Sequence, residues 1–135
     1  IVVRSVSPQE FDSWIEEQKA IKVAAAAEAS ADKAWSMDEL MEKGRGLYNT
    51  KCAACHQVTG AGLPPAFPSL KGSALTTGPV AAHLDIVLNG KPGTAMQPWS
   101  SLNNLEIAAI VTYERNAWGN DVGDTVQPSD VQAAR

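Results

Sequence analysis

Apolar residues recur at helical spacing along much of this chain, and the punctuation between those stretches is that of helix ends and loops. Trp35-Ser36-Met37-Asp38-Glu39-Leu40 has the form of a capping box with a hydrophobic staple: Ser36 caps, Glu39 reaches back, and Trp35 can pack on Leu40. Apolar or small residues follow at 37, 40, 41, 44, 47 and 48, one stripe of a helix that runs into Cys52. Residues 57–78 are rich in Gly and Pro and predict loop. Pro79 opens a second helix with Val80, Leu84, Val87 and Leu88 on one side, and Asn89-Gly90 stops it. A loop holds Lys91 to Trp99. The last helix of this region opens at Asn103 with Glu106 three residues on, shows Ile107, Ile110 and Val111, and ends near Gly119. No alternating pattern appears between 36 and 120, so this region is expected to be all-α.

The N-terminal part reads differently. Residues 1–6 (IVVRSV) have the pattern of a short strand. Ser7, Pro8 and Glu10 then form a helix start, with Phe11, Trp14 and Ile15 on one face of a helix expected to be short. Residues 20–34 hold eight alanines and no aromatic. Alanine favours helix, but a stretch with so little large apolar surface to bury is expected to act as a tether, and the domain boundary is placed there. The resulting division is 1–19, a tether over 20–34, an all-helical domain over 35–120, and a tail over 121–135 expected to be poorly ordered.

Composition narrows the function. The 135 residues are 44% hydrophobic and 19% charged, a globular balance. No run approaches the roughly 18 apolar residues of a membrane span, so this piece is expected to be soluble. The chain begins at Ile1 and reads as a mature piece or a fragment of something longer. The formal charge of −4 is uneven: Ser36–Asn120 carries six bases against six acids, and the excess acid lies in the two ends. A neutral domain lacks the basic face that nucleic acid requires, and docking dominated by long-range charge is not expected. A helical domain of about 85 residues is marginal on its own core. Its long loops in so small a frame are of the kind that wrap a function or a cofactor.

The chemistry lies in Cys52-Ala-Ala-Cys55-His56, the attachment signature of c-type haem. Two thiols on one short helical turn can each add across a porphyrin vinyl group, and His56 then falls beneath the iron. A thioredoxin-like pair requires a βαβ setting, which is not seen. A zinc site requires four ligands, and only His56 and His83 remain to join the cysteines, with no partner at zinc-finger spacing. One covalent haem c is therefore expected. Candidates for the sixth iron ligand are Met37, Met41, Met96 and His83. Met37 and Met41 lie on the first helical stripe, where methionine fills core. His83 lies mid-helix beside Val80 and Val87, a place for a packed histidine. Met96 lies in the irregular loop Lys91-Pro-Gly-Thr-Ala-Met-Gln-Pro-Trp99, from which a side chain can be aimed at a metal, and thioether opposite histidine raises the potential as electron carriers require. Met96 is the preferred ligand.

At these residues the sequence resembles the class I cytochrome c family: Gly44 and Tyr48 before the attachment motif, Pro68-Ser-Leu70 with Gly72, Met96, then Ile110 and Tyr113. The resemblance implies the all-α class I fold, helices and loops wrapped around one covalent haem, with the first and last helices crossing where Gly44 meets Tyr113. It also implies that the Pro68 carbonyl accepts from the ring N–H of His56, fixing tautomer and ring plane. A second resemblance extends over residues 62–73, 87–90, 96–99 and 107–120, which are similar to the cytochrome c domain fused to subunit II of caa3-type cytochrome c oxidases. Residues 1–14 are similar to the end of the copper-binding, cupredoxin-like domain of that subunit, which would make 1–19 its remnant. This resemblance implies electron transfer from a soluble donor cytochrome to the copper centre of the same subunit. The parent complex would be a membrane-bound oxidase, working at the outer, periplasmic face of a bacterial cytoplasmic membrane, and the haem domain itself would be an electron carrier. Donor docking is expected through an apolar rim of Ala61, Leu63, Pro64, Pro65 and Ala95. The alternatives are a freestanding or differently fused c-type cytochrome, and a haem peroxidase or gas sensor with an open sixth position.

Overall fold

The computed structural model describes residues 3–30 and 33–135, and it divides the chain into two compact units at residues 32 and 33. The first unit contains one helix, α1 (Pro8–Ser30). Its start follows the capping-box expectation: Glu10 Oε2 accepts from the Ser7 backbone N–H at 2.9 Å, and Ser7 Oγ accepts from the Glu10 N–H at 3.3 Å. The helix is not short. It continues for 23 residues into the alanine-rich stretch expected to be a tether, because helix propensity there needs no buried face. The expected strand over 1–6 is absent from residues 3–6, which lack a pairing partner in this unit; Ile1 and Val2, like Ala31 and Asp32 of the tether, lie outside the described residues.

The second unit carries α2 (Met37–Lys51), α3 (Ala53–His56), α4 (Ala74–Thr77), α5 (Val80–Asn89), α6 (Asn104–Asn116) and α7 (Pro128–Ala134). The Ser36/Glu39 and Asn103/Glu106 capping boxes start α2 and α6 as their sequences predict. α2 and α6 pack as the main helix pair, burying Leu40, Tyr48, Ile107, Ile110 and Val111 completely or nearly so. They approach most closely at Gly44, where a β-carbon would overlap the Ala109 carbonyl and lie 2.7 Å from Tyr113 Cβ. Tyr48, Tyr113 and Trp118 form a three-ring cluster of tilted and edge-to-face pairs beside this crossing, with centroids 4.8–5.5 Å apart.

The C-terminal segment departs from expectation. Residues 121–135 do not form a loose tail: Val126 and Val131 are fully buried, and α7 packs on α6 and α5. α6 ends at Asn116, three residues before Gly119, because the chain must turn there to lay this segment across the domain. Asp124 receives both Nε and Nη2 of Arg115 at 2.8 and 2.6 Å, while Arg115 Nη1 donates to the carbonyls of Thr76 and Gly78 at 2.9 and 2.8 Å. Gln127 clips the other end: its Oε1 accepts from the Trp35 N–H at 2.9 Å and its Nε2 donates to the Trp35 carbonyl at 3.0 Å.

Candidate haem site

α2 delivers Cys52 at its C-terminal cap, and the single turn of α3 carries Cys55 and His56 onward from it. All three side chains line a cavity of about 510 Å³, within the range of roughly 300–1,000 Å³ typical of cofactor pockets. Pro68 and Met96 line the same cavity from the two long loops, and Ile86, Val87 and Ile110 supply apolar wall from α5 and α6. The five residues singled out by sequence are thus brought together, although Met96 is 40 residues from His56.

Each loop has a specific anchor. The Pro68 carbonyl lies 3.0 Å from His56 Nδ1, so the ring N–H donates there and Nε2 keeps its lone pair. Gly62 makes this possible. Its φ is +66°, its N–H donates to the His56 carbonyl at 2.9 Å, and a β-carbon would lie 2.7 Å from the Pro68 carbonyl carbon. The Met96 loop is closed by bonds from the Lys91 N–H to the Met96 carbonyl and from the Trp99 N–H to the Val87 carbonyl, each 3.0 Å. Asn120 ties the Pro68 side of the pocket to the end of α6. Its Oδ1 accepts from the Gly72 N–H at 2.7 Å, and its Nδ2 donates to the carbonyls of Leu70 and Glu114 at 3.2 and 2.6 Å.

These residues fit a covalently held haem. Both cysteines are free thiols on the cavity wall, next to a histidine whose ring is already oriented. Burial, with the Glu114 carboxylate adding to it, pushes the Cys52 thiol well above the usual range. Among the described residues no βαβ unit surrounds the pair, so the setting of a thioredoxin-like site is not present. Two buried polar atoms without a hydrogen-bond partner, Thr76 Oγ1 and His83 Nδ1, belong to residues of the same cavity wall.

Other expected placements differ. Arg115, a charged residue on the last helix of the 35–120 region, is neither on the cavity wall nor in solvent: it is 2% exposed and bonded to Asp124. Trp99 does line the cavity. Of the apolar rim, Ala61, Leu63, Pro64, Pro65 and Ala95 are all exposed, but only Pro65 and Ala95 border the cavity. His83 is packed, as its setting predicts, yet its Nε2 lies 2.8 Å from Glu114 Oε2, an ionisable pair in the pocket that sequence reasoning missed. The available signal was two lone ionisable residues on otherwise apolar helix faces.

The family model described as cytochrome C oxidase, cbb3-type, subunit III matches residues 39–113, from the first turn of α2 to the tyrosine packed on it. The chain belongs to this cytochrome c family. It carries a covalently bound c-type haem, its fold is the all-α class I cytochrome c fold, and its activity is electron transfer. Among similar proteins, the cytochrome c subunit of alcohol dehydrogenase (quinone) from Gluconobacter oxydans is 30% identical over 103 residues, 68% of this chain and 22% of that protein. The gluconate 2-dehydrogenase cytochrome c subunit from Pantoea cypripedii is 31% identical over 114 residues, 75% of this chain and 25% of its own length. Cytochrome c-552 from Thermus thermophilus is 31% identical over 91 residues, 57% of this chain and 69% of that protein. The chain therefore spans about a quarter or less of the dehydrogenase subunits it matches. Among the described residues, no helix is long and apolar enough to cross a membrane.

Proposed function

We propose that the chain is the electron inlet of a membrane-bound respiratory complex, with Cys52 and Cys55 holding the haem and His56 and Met96 ligating its iron. The observation that carries this reading is the convergence of these four side chains and Pro68 on one cavity. The haem supplies an iron that takes up and returns one electron. The protein's own part is to hold that iron in a fixed ligand field. Pro68 holds His56 Nδ1–H, so the ring presents Nε2 and cannot rotate. The short bonds at Lys91 and Trp99 hold the Met96 loop, so little rearrangement accompanies a change of charge. The apolar wall keeps water from the metal and favours the less charged, reduced state.

A soluble donor cytochrome is the proposed electron source. It would dock on the exposed apolar rim, which includes Leu63, Pro65 and Ala95. The proposed acceptor is the copper centre of the same subunit in a caa3-type oxidase, at the periplasmic or outer face of the cytoplasmic membrane. The similarity of residues 1–14 to the end of a copper domain supports this acceptor. A second reading, the haem module of a dehydrogenase, is favoured by the relatives matched over 68–75% of the chain. Reading the coding sequence on the N-terminal side of Ile1 separates them: a set of copper ligands supports the oxidase, and a sequence without one refutes it. The haem ligation is tested by the visible spectrum of Met96→Ala. Loss of the weak far-red sulfur-to-iron band, with new carbon monoxide binding, is expected; an unchanged band refutes Met96 as the ligand.

A further inference from the structure

His83 and Glu114 form a buried ionisable pair that haem attachment and iron ligation leave unused. Their side chains are 2% and 5% exposed, and His83 Nε2 lies 2.8 Å from Glu114 Oε2. With Nε2–H donating to the carboxylate, Nδ1 carries the remaining lone pair. Nδ1 is buried and has no partner, and both residues line the haem cavity. Nothing structural is gained by leaving a buried ring nitrogen bare, since a hydrocarbon of the same shape would avoid the desolvation cost. An open position for a proton gives the atom a use. The pair as a whole carries zero charge with a proton on Nδ1 and one negative charge without it.

Among the described residues, no other charged group is hydrogen-bonded to the pair. Arg115, the neighbouring cation on α6, is held by Asp124 and by the carbonyls of Thr76 and Gly78. From α2 and its cap, Tyr48 and Cys52 feel the Glu114 carboxylate, which adds to the effect of burial in holding both in their neutral forms. Lys51 and, from the Met96 loop, Lys91 lie on the cavity wall but are exposed residues, and His56 of α3 is held by the Pro68 carbonyl. α4 brings no ionisable residue. On α7, Asp130 is bonded to the Gln127 N–H, and Arg135, which follows the helix, to Asn104 and to the carbonyls of Ser100 and Leu102. Asp85 of α5 is exposed and accepts from Asn89. His83 and Glu114 line the same cavity as Cys52, Cys55 and His56, so a change of charge in that cavity is felt at the pair.

We propose that the His83–Glu114 pair is a redox-linked proton site: it takes one proton from solvent onto His83 Nδ1 when the haem gains one electron from its donor, and releases that proton when the electron leaves. One electron and one proton enter together, so the net charge of the pocket is unchanged by reduction. In a poorly screened interior this lowers the electrostatic cost of each turnover. The site rests on the haem-carrier reading and adds a second transported species to it.

The test is an equilibrium redox titration of the haem-loaded chain from about pH 5 to about pH 8, the window in which histidine changes charge. Reduction makes the haem less positive and favours the protonated pair, so the midpoint potential falls as pH rises. The limiting slope is ~59 mV per pH unit, the value for one proton per electron. His83→Phe removes the proton acceptor and gives a flat profile. Glu114→Gln keeps an acceptor for Nε2–H but loses the carboxylate, which moves the falling limb to lower pH. A flat profile in the unmodified protein overturns the proposal, as does a slope that survives in His83→Phe. Proton release on rapid oxidation, followed by an indicator dye in weak buffer, requires no variant. Release in proportion to electrons supports the site, and none overturns it. Failure of the carrier reading is distinguishable, because it would show as a missing haem spectrum rather than as a pH-independent potential.

Discussion

Replacing Gly44 by Ala is expected to destabilise the haem domain, whereas the same change two residues on, Gly46→Ala, is expected to stabilise it. Both glycines lie inside α2, and alanine at either gains roughly 1 kcal/mol of helix propensity. They differ in what a β-carbon meets. At Gly46 nothing lies within 4 Å. At Gly44 the new carbon overlaps the Ala109 carbonyl, and it is 2.7 Å from Tyr113 Cβ, 0.7 Å inside the 3.4 Å at which ordinary contact begins. Neither obstacle is a flexible side-chain end, so the helices themselves must separate. A radial gap of about 0.5–1 Å forfeits a quarter to a half of each dispersion contact, and this interface holds Leu40, Tyr48 and Ile110. Overpacking of this kind costs about 3 kcal/mol at the upper end of the usual range, leaving Gly44→Ala a net ~2 kcal/mol less stable. For a domain of about 100 residues that lowers the melting temperature by roughly 10 °C, and Gly46→Ala raises it by roughly 5 °C. Thermal and urea unfolding of the two haem-loaded variants, followed by circular dichroism, provides the comparison. If both shift stability in the same direction, close approach at Gly44 is not what limits this crossing.

Three further outcomes follow from the packing. Asp124→Ala leaves the buried Arg115 with only its two carbonyl acceptors; because Asp124 is partly exposed, the loss is set below that of a fully buried pair, at roughly 1–3 kcal/mol in urea unfolding, and no measurable loss would refute the role given to residue 124. Asn120→Ala removes three hydrogen bonds that tie residues 70–72 to α6, and about 2–3 kcal/mol of stability is expected to go with them, together with faster amide exchange at Gly72. Glu39 is held down to about 2 from 4.5, first by Lys33 and then by the backbone and side chain of Ser36. A carboxyl lowered in the folded state contributes stability that is present above 4.5 and lost as pH falls toward 2. Glu39→Gln is therefore expected to flatten the acid limb of the stability profile in that interval, and an unchanged limb would count against the capping role.

How far the sequence revealed this structure depended on whether the signal was local. α2, α5 and α6 carry their own caps, stripes and stops, and Ser36, Gly90 and Asn103 act in the structure as their chemistry predicts. The site residues were legible because covalent attachment imposes a fixed spacing on Cys52, Cys55 and His56. α7 was not legible. It has one large apolar residue, Val131, and its helix starts from Gln127, whose capping partner is Asp130. It is positioned by the stretch before it, in which Asp124, Val126 and Gln127 bond to Arg115, Thr112 and Trp35, and none of these bonds leaves a periodic trace. α1 failed in the opposite direction, since alanine builds helix without a buried face. The His83–Glu114 pair joins residues 31 positions apart, and only the packing of α5 on α6 brings them together.

Gln127 holds both backbone groups of Trp35, across 92 residues of sequence. The clip lies just where the chain enters the haem unit, ahead of α2. The C-terminal segment is in turn seated by the fully buried Val126 and Val131, and α7 packs on α6. The leading and trailing ends of the unit are therefore held to each other, so that opening one loosens the other.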